Sequence, residues 1–193
     1  MKTIPHGIDD LQFMIFNQEA DDWYNPLKPY TKLEYEWIRD NLELEYRVVV
    51  DAGCHHGNYS VVFKPAYVIA IDVDKKNCLY AMQNMKMNEM NFEIQRQALG
   101  RNGANIILTP DIYKCDIEGY EFELFPSELQ RFPSVSTWII ELHPNAGNPN
   151  DIAILFDDDW ELLKVDRAIM RIRKYEIGKT WKEHSTLIAR KYK

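Results

Sequence analysis

Val48-Val49-Val50-Asp51-Ala52-Gly53-Cys54-His55-His56-Gly57-Asn58 is the stretch whose reading decides the fold. Three β-branched residues in succession favour a strand, and an unbroken apolar run suits a strand covered on both faces, as in a parallel sheet. The strand ends in an acid, Asp51, and runs into a turn that carries two glycines on the way to a helix. Gly53 and Gly57 allow a ligand to approach the backbone where a side chain would block it. In an open parallel sheet, ligands bind beyond the carboxyl ends of the strands. Asp-x-Gly-x-x-x-Gly lacks the Gly-x-Gly-x-x-Gly spacing that seats a pyrophosphate, so it suits a ligand without one. A glycine turn by itself is common, so the rest of the chain has to support the reading.

Outward from residues 46–51, apolar runs at 67–72, 92–99, 112–117 and 137–142 predict four further strands. Residues 78–90 have helical spacing, with Leu79, Met82 and Met85 expected to face inward. Strands alternating with helices predict βαβ units and a Rossmann-like α/β fold. Residues 160–175 and 185–190 alternate in part and have no helix between them, which predicts a C-terminal antiparallel hairpin on a mostly parallel sheet. Residues 1–30 read as irregular, broken by Pro5, Pro26 and Pro29. Thr31-Lys32-Leu33-Glu34 has the form of a capping box and should open a helix with Leu33, Trp37 and Ile38 on its buried side. A length of 193 residues suits one domain, 1–193, with 1–45 as an extension of a 46–193 core.

Composition sets bounds on function. Hydrophobic residues make up 46% and charged residues 27%, an ordinary globular balance. No apolar run approaches the roughly 20 residues that span a bilayer, and the first residues lack a signal core, so a cytoplasmic location is expected. Cys54, Cys78 and Cys115 are odd in number and scattered, which fits reduced thiols better than a disulfide framework. The net charge is −7, yet residues 164–193 hold ten Lys/Arg against three Asp/Glu, leaving −14 on the remainder. An acidic body argues against broad nucleic-acid affinity. The basic stretch is either a solvated strand face or an attractor for an anionic partner.

Three further segments carry chemistry. Asp72 closes the second strand, 21 residues after Asp51, where a carboxylate can accept hydrogen bonds from a ribose diol. Tyr113-Lys114-Cys115-Asp116-Ile117-Glu118-Gly119-Tyr120-Glu121 crowds acids at a strand end, a pattern expected where pKa values are tuned. Glu121 also suits the start of a following helix. In Trp138-Ile139-Ile140-Glu141-Leu142-His143-Pro144, Glu141 and His143 alternate onto one face, and His143 has the intrinsic pKa of a general base. A polar loop from Asn145 to Asn150 follows and is a candidate for substrate contact. Asp116, Glu118, Glu141 and His143 are ligand types that suit a divalent cation, but spacing alone does not establish a site and no metal is assigned.

In this order and spacing, the segments resemble the FkbM family of S-adenosylmethionine-dependent methyltransferases. The matching residues are Asp51, Gly53 and Gly57; Asp72 followed by Asn77; Ala98-Leu99-Gly100; Lys114, Asp116, Glu118, Gly119 and Glu121; and Glu141. The resemblance covers about residues 46–145, and its Lys-x-Asp-x-Glu-Gly-x-Glu element is fairly specific. His55 stands where the family usually has Asn, and the segment between Gly100 and Tyr113 is shorter than usual. The resemblance implies a class I fold, S-adenosyl-L-methionine as cofactor, and O-methylation of a hydroxyl on a sugar, glycan or secondary metabolite. It implies that Asp51, Gly53, His55, Gly57, Asp72, Val73, Leu99 and Asp116 bind the cofactor. Glu118, Glu141, His143 and Asn145 fall to the substrate side, with Asp116, His143 and Glu141 as the catalytic candidates. Competing readings are a cofactor-binding protein without transferase activity, which the shortened middle favours, a nucleic-acid methyltransferase, and a nucleotide-dependent oxidoreductase.

Overall fold

A computed structural model describes residues 1–100, 103, 105–179, 181, 183 and 185–192 of the chain. It forms two compact units, Met1–Gln97 and Ala98–Lys193.

The first unit opens with an antiparallel pair, β1 (Lys2–Pro5) and β2 (Gln12–Ile15), followed by α1 (Gln18–Tyr24) and α2 (Pro29–Asn41). Then come β3 (Val48–Ala52), α3 (Asn58–Val62), β4 (Tyr67–Asp72), α4 (Lys75–Met87) and β5 (Asn91–Arg96). β4 pairs in parallel with β3 on one side and β5 on the other. Val49, Val50, Val68 and Ile71 have no accessible surface, as expected of strands covered on both faces.

Three local expectations fail in whole or in part in this unit, although Ile38 and Met85 are buried as expected. Residues 1–30 are ordered into a hairpin and a helix, because Asn17 caps α1 by accepting from the Ala20 N–H and Phe13, Ile15 and Ala20 form a small buried cluster. The capping box at Thr31 does not open α2. The helix starts at Pro29, whose missing N–H costs nothing in the first turn. Its buried residues are Glu34, Tyr35 and Ile38, with Leu33 and Trp37 only half-buried. In α4 the buried face is Cys78, Ala81, Asn84 and Met85, while Leu79 is 43% exposed and Met82 half-buried. Two contacts set that face: Gly57 packs on Ala81, and Asn84 reaches β2.

The second unit contains β6 (Ile112–Cys115), α5 (Glu121–Arg131), β7 (Thr137–Leu142), α6 (Pro149–Ala153), β8 (Trp160–Asp166), β9 (Arg171–Lys174) and β10 (Ser185–Lys191). β6 and β7 pair in parallel. β10 is antiparallel to both β7 and β8, and β9 is antiparallel to β8, so the antiparallel ending has three strands, with β10 inserted beside β7. The core is aromatic: Trp138 stacks on Tyr113 at 4.9 Å between ring centres and meets Phe125 edge-on at 5.1 Å. Arg171, Arg173 and Lys174 of the basic stretch are exposed on β9, an edge strand, where cations discourage further strand pairing. Lys182 and Lys193 of that stretch, and Arg101, Asn102 and Ala104 of the short 100–113 segment, lie outside the described residues.

The fold class is α/β and Rossmann-like, parallel where β3, β4 and β5 pair and where β6 meets β7, and antiparallel at the C-terminal strands. All three cysteines are free and buried. Among the described residues, no helix is long and apolar enough to cross a membrane.

Candidate functional site

The parallel register of β3 and β4 places Asp51 opposite Ala70 and Ala52 opposite Ile71, so the glycine turn and Asp72 emerge at the same, carboxyl end of the strands. Gly53 turns the chain at φ +78, in the left-handed region that glycine adopts without strain. The N–H groups of Gly53 and Cys54 both donate to the Ile71 carbonyl, at 2.8 and 3.0 Å. The His55 N–H donates to Asp72 Oδ2 at 2.9 Å. Asp72 Oδ1 accepts from the Asp74 N–H at 2.8 Å and from Asn77 Nδ2 at 3.3 Å. Asp72 is therefore oriented by three donors and is 9% exposed. Val73, the next residue, is 61% exposed and offers an apolar surface beside it. Asp74 caps α4 through the N–H groups of Lys76 and Asn77, and those bonds hold its carboxyl below the usual carboxylate range.

Asp51 and Gly57 serve the turn from within. Asp51 has no accessible surface, and its Oδ2 accepts from Ser60 Oγ at 2.6 Å. Gly57 has φ +79, and a Cβ there would lie 3.0 Å from Ala81 Cα, so its bareness lets α4 approach. The two histidines stack on each other at 4.2 Å between ring centres. Tyr24 Oη and His55 Nδ1 share a hydrogen bond of 2.7 Å, and Tyr80 packs edge-on against His56 and parallel to Phe16. Burial, followed by the neighbouring His55, pushes His56 down to about 4, so it is neutral at physiological pH. A groove of about 600 Å³ lined by Tyr46, Arg47, Tyr67 and Phe92 lies at the opposite, amino end of β3, β4 and β5.

In the second unit, the carboxyl ends of β6 and β7 gather charged groups. Buried Lys114 lies 3.8 Å from Asp116 Oδ2. His143 Nδ1 is 3.0 Å from Glu121 Oε1, which also accepts from the Ile117 N–H at 3.0 Å. His143 Nε2 faces Glu118 Oε2 at 3.7 Å and Asp116 Oδ1 at 4.0 Å. The Glu121 hydrogen bond raises His143 to about 9, against the opposing effect of its own burial. Burial raises Asp116 to about 7, with Lys114 pulling the other way and Glu141 and Glu118 adding to the rise. Glu141 is held by Arg167 Nη2 at 2.7 Å. Gly119, at φ +103, lies so close to Ala146 that a Cβ would sit 2.8 Å from Ala146 Cβ, which packs the loop after β6 on the loop after β7.

Asp51, Gly53, His55, Gly57, Asp72 and Val73 thus come together in the first unit, and Asp116, Glu118, Glu141 and His143 in the second. Asn145 is exposed on the loop after β7, and Leu99 is half-buried in irregular chain. Tyr24, Ser60, Tyr80 and Arg167 were absent from the expected set. Nothing in the sequence marks Tyr24 or Tyr80, whereas Arg167 was visible only as one charge of a basic stretch.

No protein-family model and no curated protein matches the chain. Among solved structures, a putative methyltransferase from Escherichia coli is similar with a TM-score of 0.62 at 10% identity, covering 100% of each chain. The chain has a methyltransferase fold. A ribosomal protein L11 methylase from Lactobacillus delbrueckii subsp. bulgaricus is similar at a TM-score of 0.57 and 16% identity, over 84% of this chain and 79% of that one. A magnesium protoporphyrin IX methyltransferase from Synechocystis PCC 6803, solved with bound SAM, is similar at 0.56 and 19%, over 84% and 79%. These methyltransferases are named for different acceptors, and identities this low speak to the fold alone.

Proposed function

We propose that the protein is an S-adenosylmethionine-dependent methyltransferase of the FkbM type, acting on a hydroxyl of a sugar, glycan or secondary metabolite. The observation that carries the reading is the placement of Asp72 at the carboxyl end of β4, tied by the His55 N–H to the glycine turn that follows β3. The residues present fit the cofactor. Asp72 Oδ2 takes one donor among the described residues, and a carboxylate oxygen has two lone pairs, so a ribose hydroxyl has an acceptor left to it. The exposed Val73 suits the face of a purine. When bound, the sulfonium supplies a methyl group that is already activated.

The remaining work of such a reaction is to align an oxygen nucleophile and take its proton. We assign Asp116, His143 and Glu141 to that task, with Glu118 and Asn145 on the acceptor side and Leu99 toward the adenine. The proton falls to Asp116, at about 7, because His143, at about 9, already carries one at neutral pH. The acidic balance of the chain outside residues 164–193 favours a small-molecule or glycan acceptor over a nucleic acid. A cytoplasmic setting, which would keep the three free thiols reduced, belongs to the same proposal.

The test is calorimetric titration with S-adenosylhomocysteine, followed by assay of labelled methyl transfer to a panel of hydroxyl acceptors. Saturable binding is expected, weakened at least about tenfold by Asp72→Asn, the loss of one charge-assisted hydrogen bond. Folded protein that gives no heat with millimolar nucleoside refutes the reading. Binding without turnover on any hydroxyl acceptor reduces it to the cofactor-binding alternative.

A further inference from the structure

The geometry points to a divalent-cation site in the second unit, formed by Asp116, Glu118 and His143. One ligand atom from each of these residues lies within 4.8 Å of the other two. The separations of 3.7 Å from His143 Nε2 to Glu118 and 4.0 Å to Asp116 are too long for hydrogen bonds. They are short enough for one cation to bridge: with bonds of about 2.1 Å, two ligands of the same ion stand at most about 4.2 Å apart.

Two observations outside that spacing support the site. Asp116 Oδ1 is cut off from solvent and accepts no hydrogen bond among the described residues, while the other oxygen, Oδ2, faces Lys114 at 3.8 Å. A buried carboxylate oxygen of this kind calls for a cationic partner. His143 is also held as metal-ligating histidines are held. A carboxylate only accepts, so Nδ1–H donates to Glu121 Oε1 at 3.0 Å, and Nε2 is turned toward Asp116 and Glu118, where a bound cation would displace its proton. Glu121 has no accessible surface and is fixed in turn by the Ile117 N–H. The close contact of Gly119 with Ala146 keeps the two ligand-bearing loops together. Two carboxylates and one imidazole suit a first-row cation such as Mn²⁺ and leave coordination positions open for water or another ligand. The inference stands on these residues alone and does not need the methyltransferase reading.

The experiment titrates the full chain with Mn²⁺, followed by electron paramagnetic resonance of the free ion. Wild type is expected to bind one equivalent. Glu118→Gln is expected to weaken binding at least about tenfold, since charge and a ligand atom are both lost. Because the Glu118 side chain is 89% exposed, this exchange leaves the fold intact, which a thermal melt verifies. Asp158→Asn, in the exposed acidic run before β8, is expected to leave binding unchanged. Bound Mn²⁺ should also broaden the His143 ring resonances beyond detection. Absence of binding at millimolar Mn²⁺ overturns the site, as does equal binding by wild type and Glu118→Gln.

Discussion

Asn84 ties the N-terminal hairpin, α4 and the glycine turn together, and Asn84→Ala tests that arrangement. Its Oδ1 accepts from the Met14 N–H at 2.6 Å, while Nδ2 donates to the Met14 carbonyl at 3.3 Å and to the His56 carbonyl at 2.9 Å. The side chain has no accessible surface, so water cannot replace it readily. Alanine leaves the His56 carbonyl without this donor, at about 1–3 kcal/mol, and breaks two partly buried bonds to β2 worth about 0.5 kcal/mol each. The sum is about 3 kcal/mol. At about 2–4 °C per kcal/mol for a chain of this size, the melting temperature falls by about 9 °C. Urea denaturation with an unchanged m-value measures the loss directly. Asn84→Asp keeps the acceptor but loses both donors and buries a charge against a carbonyl, so it is expected to be at least as damaging. A loss below about 1 kcal/mol for Asn84→Ala, or an aspartate variant more stable than the alanine one, refutes the argument.

Gly57→Ala combines a strained φ with a Cβ 3.0 Å from Ala81 Cα, and should cost about 2–3 kcal/mol in urea unfolding and weaken nucleoside binding in calorimetry. Arg167→Met removes the 2.7 Å partner of Glu141, whose side chain is 16% exposed; a loss of about 3 kcal/mol is expected, partly recovered in the double variant with Glu141→Gln. His56 sits at about 4 in the fold against 6.5 unfolded, so between those pH values the unfolded chain binds a proton that the fold refuses, and stability falls as pH falls through that window. Screening reduces the full linkage to about 2 kcal/mol. His55 and Asp74 are the titratable neighbours acting on His56, and subtracting the profile of His56→Gln from that of wild type isolates its share.

The strands were legible because their signal is local: residues 67–72 and 137–142 need only their own apolar runs to be read, and both fall on the observed β4 and β7. The positions of Asp72 and the glycine turn at the strand ends were legible for the same reason. The buried face of α4 was not, because it is chosen by what α4 meets. Leu79 has the greater hydrophobicity, but Ala81 is the residue small enough to receive Gly57, and Asn84 is the one that can bond β2. The N-terminal hairpin was hidden for a related reason. Asn88 closes it from the end of α4, accepting from the Gln12 N–H at 2.9 Å and donating to its carbonyl at 2.8 Å, 76 residues away in sequence. Arg167 is another long-range partner, 26 residues from Glu141.

The hydrogen bonds of the turn also bear on what the turn can bind. A pyrophosphate is held by free backbone N–H groups at a glycine turn and a helix N-terminus. Here Gly53 and Cys54 donate to Ile71, His55 donates to Asp72, and Gly57 donates to the Cys54 carbonyl at 2.7 Å. Four of the five amides from 53 to 57 are thus engaged within the protein. The turn has little left to offer an anion. What remains is an acceptor on Asp72 for a hydroxyl and an apolar surface on Val73. Those terms suit the proposed nucleoside better than a dinucleotide, whose pyrophosphate needs the backbone donors that the turn has already engaged. The glycine spacing thus reflects a redistribution of backbone donors, away from phosphate and into the tie between β3, β4 and Asp72.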